Sequence, residues 1–241
     1  MNKSHHIVRS YDQDLQNVTN RIIEMGGAVE AQLADAIDAM IKRDGELANL
    51  TAQKDSQIDE MEREIDEHVI SLIAKRQPMA DDLREMISAM KIVGILERVG
   101  DYAAHVAERA AIVADTPAMP PITVVSRMGK MVRDLLADAL GAYARRDAEL
   151  ALSVWLRDQD LDQLYSSLFR ELLQAMEEDS HNIVPCTHLL FVAKYIERVG
   201  DFATNIAEHV HFIVLGKMPE GERPKAGPTR SLASNGTPGS A

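Results

Sequence analysis

Apolar residues recur at steps of three and four along most of the chain, which is the spacing of one buried helix face. The first such stripe predicts a helix and consists of Leu15, Val18, Ile22, Met25, Val29, Leu33, Ile37 and Met40. A second run starts near Asp44 and ends at Pro78, because the residue before a proline disfavours the helical backbone. A third runs from about Ala80 to Ala114. The first half therefore predicts three helices.

A proline-rich link at residues 116–123 divides the chain, because its three prolines cannot continue a helix. Beyond it the pattern repeats, with apolar stripes from Val125 to Tyr143 and from Leu161 to Met176, and a last helix from about Pro185 to Leu215. We predict an all-α fold of two tandem, structurally similar three-helix bundles, at residues 10–115 and 122–216. Residues 217–241 are rich in Pro, Gly and Ser, which predicts a disordered tail.

Composition supports this fold and excludes several classes of function. Aromatic residues make up only 4% of the chain, whereas unbranched helix formers are abundant. The net charge of −12 argues against nucleic-acid binding, because an acidic surface repels phosphate backbones. Cys186 is the single cysteine, so an intramolecular disulfide is excluded and a reducing compartment is indicated. With no signal-peptide pattern and no apolar stretch of about 18 residues, we expect a cytoplasmic protein.

A segment of twelve residues occurs twice. Residues 97–108 read ERVGDYAAHVAE and residues 197–208 read ERVGDFATNIAE, with eight identical positions. Each copy places a glycine, Gly100 or Gly200, inside a predicted helix, where it costs about 1 kcal/mol relative to alanine. We interpret these glycines as positions where a neighbouring helix approaches closely.

Each half also carries two pairs of carboxylates at four-residue spacing, on helices that a short turn makes antiparallel neighbours. The pairs are Asp55/Asp59 with Glu97/Asp101, and Asp158/Asp162 with Glu197/Asp201. A helical wheel turns them away from the apolar core, toward the outer side of the bundle. Like charges at this spacing destabilise a helix by a few tenths of a kcal/mol per pair. Their recurrence in both halves indicates a compensating cation, and carboxylate oxygens suit magnesium, manganese, calcium or iron.

The two copies differ where His105 stands in the first and Asn205 in the second. The imidazole of His105 could add a ligand to the first site only. The alternative is a surface without metal, because acidic stripes on helical bundles are commonly just solvated. Arg98 and Arg198 adjoin the acids and could balance part of their charge.

The repeated Glu-Arg-Val-Gly-Asp motif, with Ala-Glu seven residues on, resembles the PhoU family of phosphate-transport regulators. The segments 73–78, 82–84 and 176–180 resemble the turns of that family, so the similarity spans about residues 10–215. It implies two similar three-helix bundles. It also implies a non-enzymatic negative regulator of the phosphate-starvation response (the Pho regulon).

In that role the protein would be an adaptor between the ATPase subunit of the phosphate ABC transporter and the phosphate-sensor histidine kinase. Its association with membrane complexes would be peripheral, and a homodimer is expected. The eight carboxylates match the Glu/Asp-x-x-x-Asp motifs of the family, which are associated with multinuclear metal clusters. The resemblance leaves iron, zinc, manganese and magnesium as candidate ions. His105 departs from the usual asparagine of the family, which leaves the ligand set of the first cluster open.

Two other classes of function are compatible with parts of the pattern. A metal-free helical scaffold could use the acids to dock a basic partner. A carboxylate-bridged di-iron enzyme is disfavoured, because ferritin-like sites use Glu-x-x-His motifs that project into the bundle core. The sequence contains no Gly-rich phosphate loop, serine elbow or Cys-His arrangement, so we predict no catalytic residue.

Overall fold

The computed structural model describes residues 3–116 and 122–220, except for the side chains of residues 3–11 and 158. Within that part of the chain the regular structure is entirely helical, which confirms the predicted all-α class. Its helices are α1 (Lys3–Lys42), α2 (Gly45–Ala52), α3 (Asp55–Arg76), α4 (Asp81–Val113), α5 (Ile122–Arg145), α6 (Ala148–Glu178) and α7 (Ile183–Leu215), with a 3₁₀ turn at Ser180–Asn182. Most of the predicted tail, residues 221–241, lies outside the described residues.

The turn after the first helix is built in the same way in both halves. Arg43 and Arg146 adopt left-handed backbone conformations, with φ of 57° and 52°, which reverse the chain direction. Asp44 and Asp147 then cap α2 and α6, each accepting a hydrogen bond of 2.9 Å from the backbone N–H three residues on. The Arg-Asp pairs at 43–44 and 146–147 therefore form the same structural junction in both halves.

The second predicted helix of the first half is interrupted, because α2 ends at Ala52 and α3 begins at Asp55. The N–H of Lys54 binds the carbonyl of Thr51 at 3.2 Å, which is the tighter, 3₁₀ type of bond. The buried side chain of Gln32 also donates to that carbonyl, at 3.5 Å. The corresponding helix of the second half, α6, runs without a break. The halves therefore differ directly beside Asp55.

The two halves share one continuous core. Helix α4 packs against α7 and α1 packs against α5, so buried residues of both halves form a single cluster. A Cβ atom on Gly129 would lie 2.8 Å from a methyl carbon of Ile37, and one on Gly26 would lie 2.7 Å from Leu140. These glycines allow the close approach of α1 and α5.

The predicted bundle boundaries fall near helix ends. The first bundle contains α1 to α4 and the second contains α5 to α7, although α1 begins at Lys3, before the predicted start at residue 10. Because the core is continuous, the division into two domains stays a prediction. None of the helices in the described ranges has an apolar stretch long enough to span a bilayer.

Candidate metal centre

Three carboxylates from two helices converge in the groove between α3 and α4. Asp55 and Asp59 lie one turn apart at the start of α3, and Asp101 lies in the second half of α4. One oxygen atom from each lies within 4.8 Å of the other two. Among the described side chains, this is the one group of at least three Asp, Glu, His or Cys residues that comes so close together. We call it the acidic triad.

The triad is only partly accessible to solvent. Asp59 is exposed, whereas Asp55 and Asp101 are half-buried between the two helices. The Oδ1 atom of Asp55 is buried and has no hydrogen-bond partner. Asp59 is exposed as the helical wheel predicted, whereas Asp55 and Asp101 are half-buried, because the wheel treats each helix without its neighbour. A cation bound here would supply the partner that the Asp55 oxygen lacks.

The carboxylates disfavour each other's charge. Burial raises the pKa of Asp55, and the charges of Asp101 and Asp59 raise it further. Burial likewise raises the pKa of Asp101, with Asp59 adding to the rise and His105 and Arg98 opposing it. Both carboxyl groups are therefore partly desolvated and lie beside like charges, and each of these effects disfavours their charged form. A divalent cation would relieve both effects at once.

Glu97 lies outside the triad but in the same electrostatic field. Burial, followed by the charges of Asp101, Glu62 and Asp59, raises its pKa to about 7. Burial and neighbouring acids also raise the pKa of Glu62, and burial raises that of Asp66. Three of the four acids predicted for the first half therefore converge. The fourth, Glu97, extends the negative charge along the groove toward Glu62.

Gly100 lets α3 approach α4 at this point. A Cβ atom at position 100 would lie 3.1 Å from Cγ2 of Ile58, which stands between Asp55 and Asp59 in α3, and 3.4 Å from Oε1 of Gln32. The close helix approach predicted from this glycine is confirmed. The duplicated motif therefore supplies one acid of the triad, Asp101, and the small residue that lets α3 bring the other two close to it.

His105 lies at the edge of the triad rather than in it. Its exposed ring lies 3.3 Å from a carboxylate oxygen of Glu108 and packs near Tyr195 of α7, with ring centroids 5.5 Å apart. Its positive form would lower the pKa of both Asp55 and Asp101, so His105 lies close to the triad. A direct role as a ligand stays a prediction.

In the second half, several corresponding acids already have cationic or hydrogen-bonding partners. Glu197 forms an ion pair with Lys194 at 2.6 Å, and Asp201 forms one with Arg198 at 3.5 Å. Glu208, the counterpart of Glu108, accepts a hydrogen bond of 3.0 Å from the indole N–H of Trp155. Asp162 is half-buried on α6, and the side chain of Asp158 lies outside the described residues. A second centre stays a prediction.

Sequence reasoning missed the role of two residues in this difference. Trp155 is buried, and its indole N–H also binds Glu208, which the sequence did not indicate. Lys194 is the second residue whose role the sequence analysis did not predict. It stands three residues before Glu197, a helical spacing that favours such an ion pair and could have indicated it.

The donor set limits the chemistry of the first site. Three carboxylates within 4.8 Å offer only oxygen, which suits magnesium, manganese or iron(II) better than zinc, whose sites draw on histidine and cysteine. Cys186 is buried away from solvent, and burial raises the pKa of its thiol, as expected of a packing residue.

The family model described as "PhoU domain" matches the chain twice, at residues 22–110 and 125–210. The chain is 45% identical to a "Phosphate-specific transport system accessory protein PhoU homolog" of Caulobacter vibrioides over 91% of this chain and 96% of that protein. A homologue of the same name from Rhizobium meliloti is 44% identical over 95% and 97% of the two chains.

Two solved structures have the same fold. The crystal structure of PhoU from Pseudomonas aeruginosa superposes with a TM-score of 0.83, at 40% identity, over 86% of this chain and all of that one. The phosphate transport system regulatory protein PhoU from Streptococcus pneumoniae gives a TM-score of 0.81, at 27% identity, over 87% and 99% of the two chains. With both halves matched by the same family model and the whole fold shared, this chain belongs to the PhoU family.

Proposed function

We propose that this protein is a negative regulator of the phosphate-starvation response, an adaptor between the ATPase subunit of the phosphate ABC transporter and the phosphate-sensor histidine kinase. The observation that carries the proposal is the PhoU domain in both halves, since the relatives are named as accessory proteins of the phosphate-specific transport system. The adaptor acts by contact, in the cytoplasm and as a dimer, and it modulates phosphate uptake without catalysing a reaction.

Deletion of the gene tests the regulatory role. Phosphate-starvation genes should then be transcribed in medium rich in phosphate, and the full-length gene should restore repression. Capture with the tagged full-length protein, in high and in low phosphate, should recover the transporter ATPase and the sensor kinase. Normal repression in the deletion strain would exclude the role, and repression lost without capture of either protein would exclude the adaptor.

We further propose that the acidic triad holds a divalent cation or a multinuclear cluster. The support is geometric, because three oxygen ligands converge around a buried oxygen of Asp55 that lacks a partner. Asp55, Asp59 and Asp101 would hold the ion, and Glu97 would join the ligand set of a larger cluster. The ion neutralises acids that burial and mutual repulsion destabilise. It thereby fixes α3 on α4 and shapes the surface offered to a partner.

Elemental analysis of protein purified without chelator tests this assignment. The wild type should carry manganese, iron or magnesium, and Asp55→Asn/Asp59→Asn should lose most of it. Asp134→Asn/Asp160→Asn is the matched control, because it removes two exposed charges from α5 and α6. Equal metal content in all three proteins, or none in the wild type, would favour the metal-free scaffold.

A further inference from the structure

Helices α4 and α7 form an antiparallel pair at the centre of the molecule. Arg84 of α4 lies near Phe212 of α7, and Arg109 lies near Phe191. Helices α1 and α5 cover one face of this pair, while α3 flanks α4 and α6 flanks α7. The remaining side of the pair lies between α3 and α6 and keeps residues exposed, among them Lys91 and Arg198.

This open face carries cations although the chain as a whole has a net charge of −12. Lys91, Arg98 and Arg109 recur on one side of α4 within about 40° on a helical wheel, and Arg198 lies on the matching side of α7. Lys91 and Arg98 are exposed, as is Arg198. Two carboxylates lie beside this face, Asp101 turned toward α3 and Glu208 toward α6, whereas Asp201 pairs with Arg198 at 3.5 Å.

Aromatic rings lie between α4 and α7 on this face. The centroid of the Tyr102 ring lies 5.4 Å from that of Tyr195 and 5.7 Å from that of Phe202. Phe191 is 44% exposed, and the guanidinium of Arg109 lies 4.8 Å from its ring centroid. We call this surface of four cations and four rings the central seam.

Exposed apolar residues continue the central seam at its ends. Ile87 is 41% exposed at one end of α4, and Ile112 is 55% exposed at the other. At 1.5 Å per residue the distance along α4 between them is roughly 37 Å. Cations, aromatic rings and apolar ends on one long surface are the composition of a protein interaction site.

We propose that the central seam binds an acidic amphipathic helix of a partner protein, with carboxylates against its cations and apolar side chains against its rings. A helix of about 20 residues spans 30 Å and is about 10 Å wide, so its length suits the roughly 37 Å along α4. The proposal goes beyond the adaptor role, since it does not depend on the transporter or the kinase.

The geometry disfavours other anionic occupants. A membrane is a plane, so it would meet the acidic groups beside the seam as well as its cations. A nucleic-acid duplex is broader than a single helix and would meet the same acids. The segment from Lys217 to the end of the chain has a charge of +2 (four Lys or Arg and two Glu), so it is repelled rather than attracted.

Fluorescence anisotropy with the full-length protein tests the proposal. The probe is a labelled helical peptide of about 20 residues with one Leu-rich and one Glu-rich face, and its Gln analogue is the neutral control. The acidic peptide should bind at micromolar concentration in physiological salt, at least about tenfold more tightly than the analogue. Lys91→Glu/Arg109→Glu should weaken binding by about tenfold or more, whereas Arg127→Glu/Lys130→Glu, with the same charge change on α5, should stay within about twofold.

Phe191→Ser probes the aromatic part without a change of charge, and Ile70→Ser on α3 is its control, because Ile70 is also exposed, at 55%. Only Phe191→Ser should weaken binding, and circular dichroism should show equal helicity in all variants. Equal binding by seam and control variants would overturn the proposal. So would tighter binding to vesicles with anionic lipid or to single-stranded DNA, or a seam variant that fails to bind because it converts a dimer to a monomer.

Discussion

Asp55 and Asp101 stand on neighbouring helices, 46 positions apart in the chain, yet a carboxylate oxygen of one lies within 4.8 Å of an oxygen of the other. Burial raises the pKa of both groups, and the charge of Asp59 raises both further. The pair therefore destabilises the metal-free protein and favours a bound cation. Stability without metal and affinity for metal should change in opposite directions when one charge is removed.

Replacing Asp101 by Asn should separate these two effects. In chelator, urea unfolding should show a gain of a few tenths of a kcal/mol, because like charges at this spacing repel. In calorimetric titration, the affinity for Mn²⁺ should fall at least about tenfold, because one of three ligands is lost. Asp201→Asn is the matched control, since Asp201 pairs with Arg198. It should not stabilise the metal-free protein, and a gain equal to that of Asp101→Asn would contradict the role of repulsion.

Removal of metal should lower the melting temperature. A ligand that binds only the folded state contributes RT ln(1 + [L]/Kd), which is about 2.7 kcal/mol at a concentration one hundred times Kd. Thermal unfolding in chelator, followed by addition of Mn²⁺ or Mg²⁺, measures this contribution. The wild type should regain its melting temperature, whereas Asp55→Asn/Asp59→Asn should not respond. An identical response of the variant would show that the ion binds elsewhere.

The raised pKa of Glu97 predicts how the stability of the metal-free protein depends on pH. Its folded pKa is raised from 4.5 to about 7, so the folded state holds the proton more tightly than the unfolded state. The resulting stabilisation is complete below pH 4.5 and is lost as pH rises through about 7. Because Glu97 is partly exposed, solvent screening reduces the effect to about 1 kcal/mol.

Urea unfolding in chelator between pH 5 and 8 checks this expectation. The free energy of unfolding should decrease with rising pH in the wild type, and Glu97→Gln should flatten the curve. Glu60→Gln is the control, because an ion pair with Arg63 lowers the pKa of Glu60. A curve for Glu97→Gln that follows the wild type would mean that another carboxyl group causes the pH dependence.

The spacing of apolar residues predicted the fold well, because it indicates which face of each helix is buried. The apolar stripe of α1 is a local signal, and it was recognised. The break before Asp55 was not predicted, and the carbonyl group beside it is bonded by Gln32, a buried residue of another helix. In the second half, the hydrogen bond from Trp155 to Glu208 was not predicted either, because it forms only when α6 packs on α7.

Gly100→Ala should weaken the triad through packing alone. Its Cβ atom would lie 3.1 Å from Ile58, so α3 must shift away from α4. Overpacking of this kind costs about 1–3 kcal/mol, against a gain of about 1 kcal/mol in helix propensity. We expect a net loss of about 1 kcal/mol and weaker binding of Mn²⁺. Gly27→Ala is the control, because nothing lies within 4 Å of its Cβ position. It should stabilise the protein by up to about 1 kcal/mol.

Arg146 should stabilise the contact between the two bundles by pairing with Glu85. The guanidinium bonds the Glu85 carboxylate, whose side chain is only 12% exposed. Arg146→Met would leave that carboxylate nearly buried and unpaired, which should cost about 1–2 kcal/mol. Glu85→Gln in the same chain should recover part of the loss, because a neutral amide is less costly to bury than a charge. A double-mutant cycle by urea unfolding should therefore give a coupling of about 1 kcal/mol. If the two substitutions are additive instead, the bundles are held together by the shared apolar core and this ion pair contributes little.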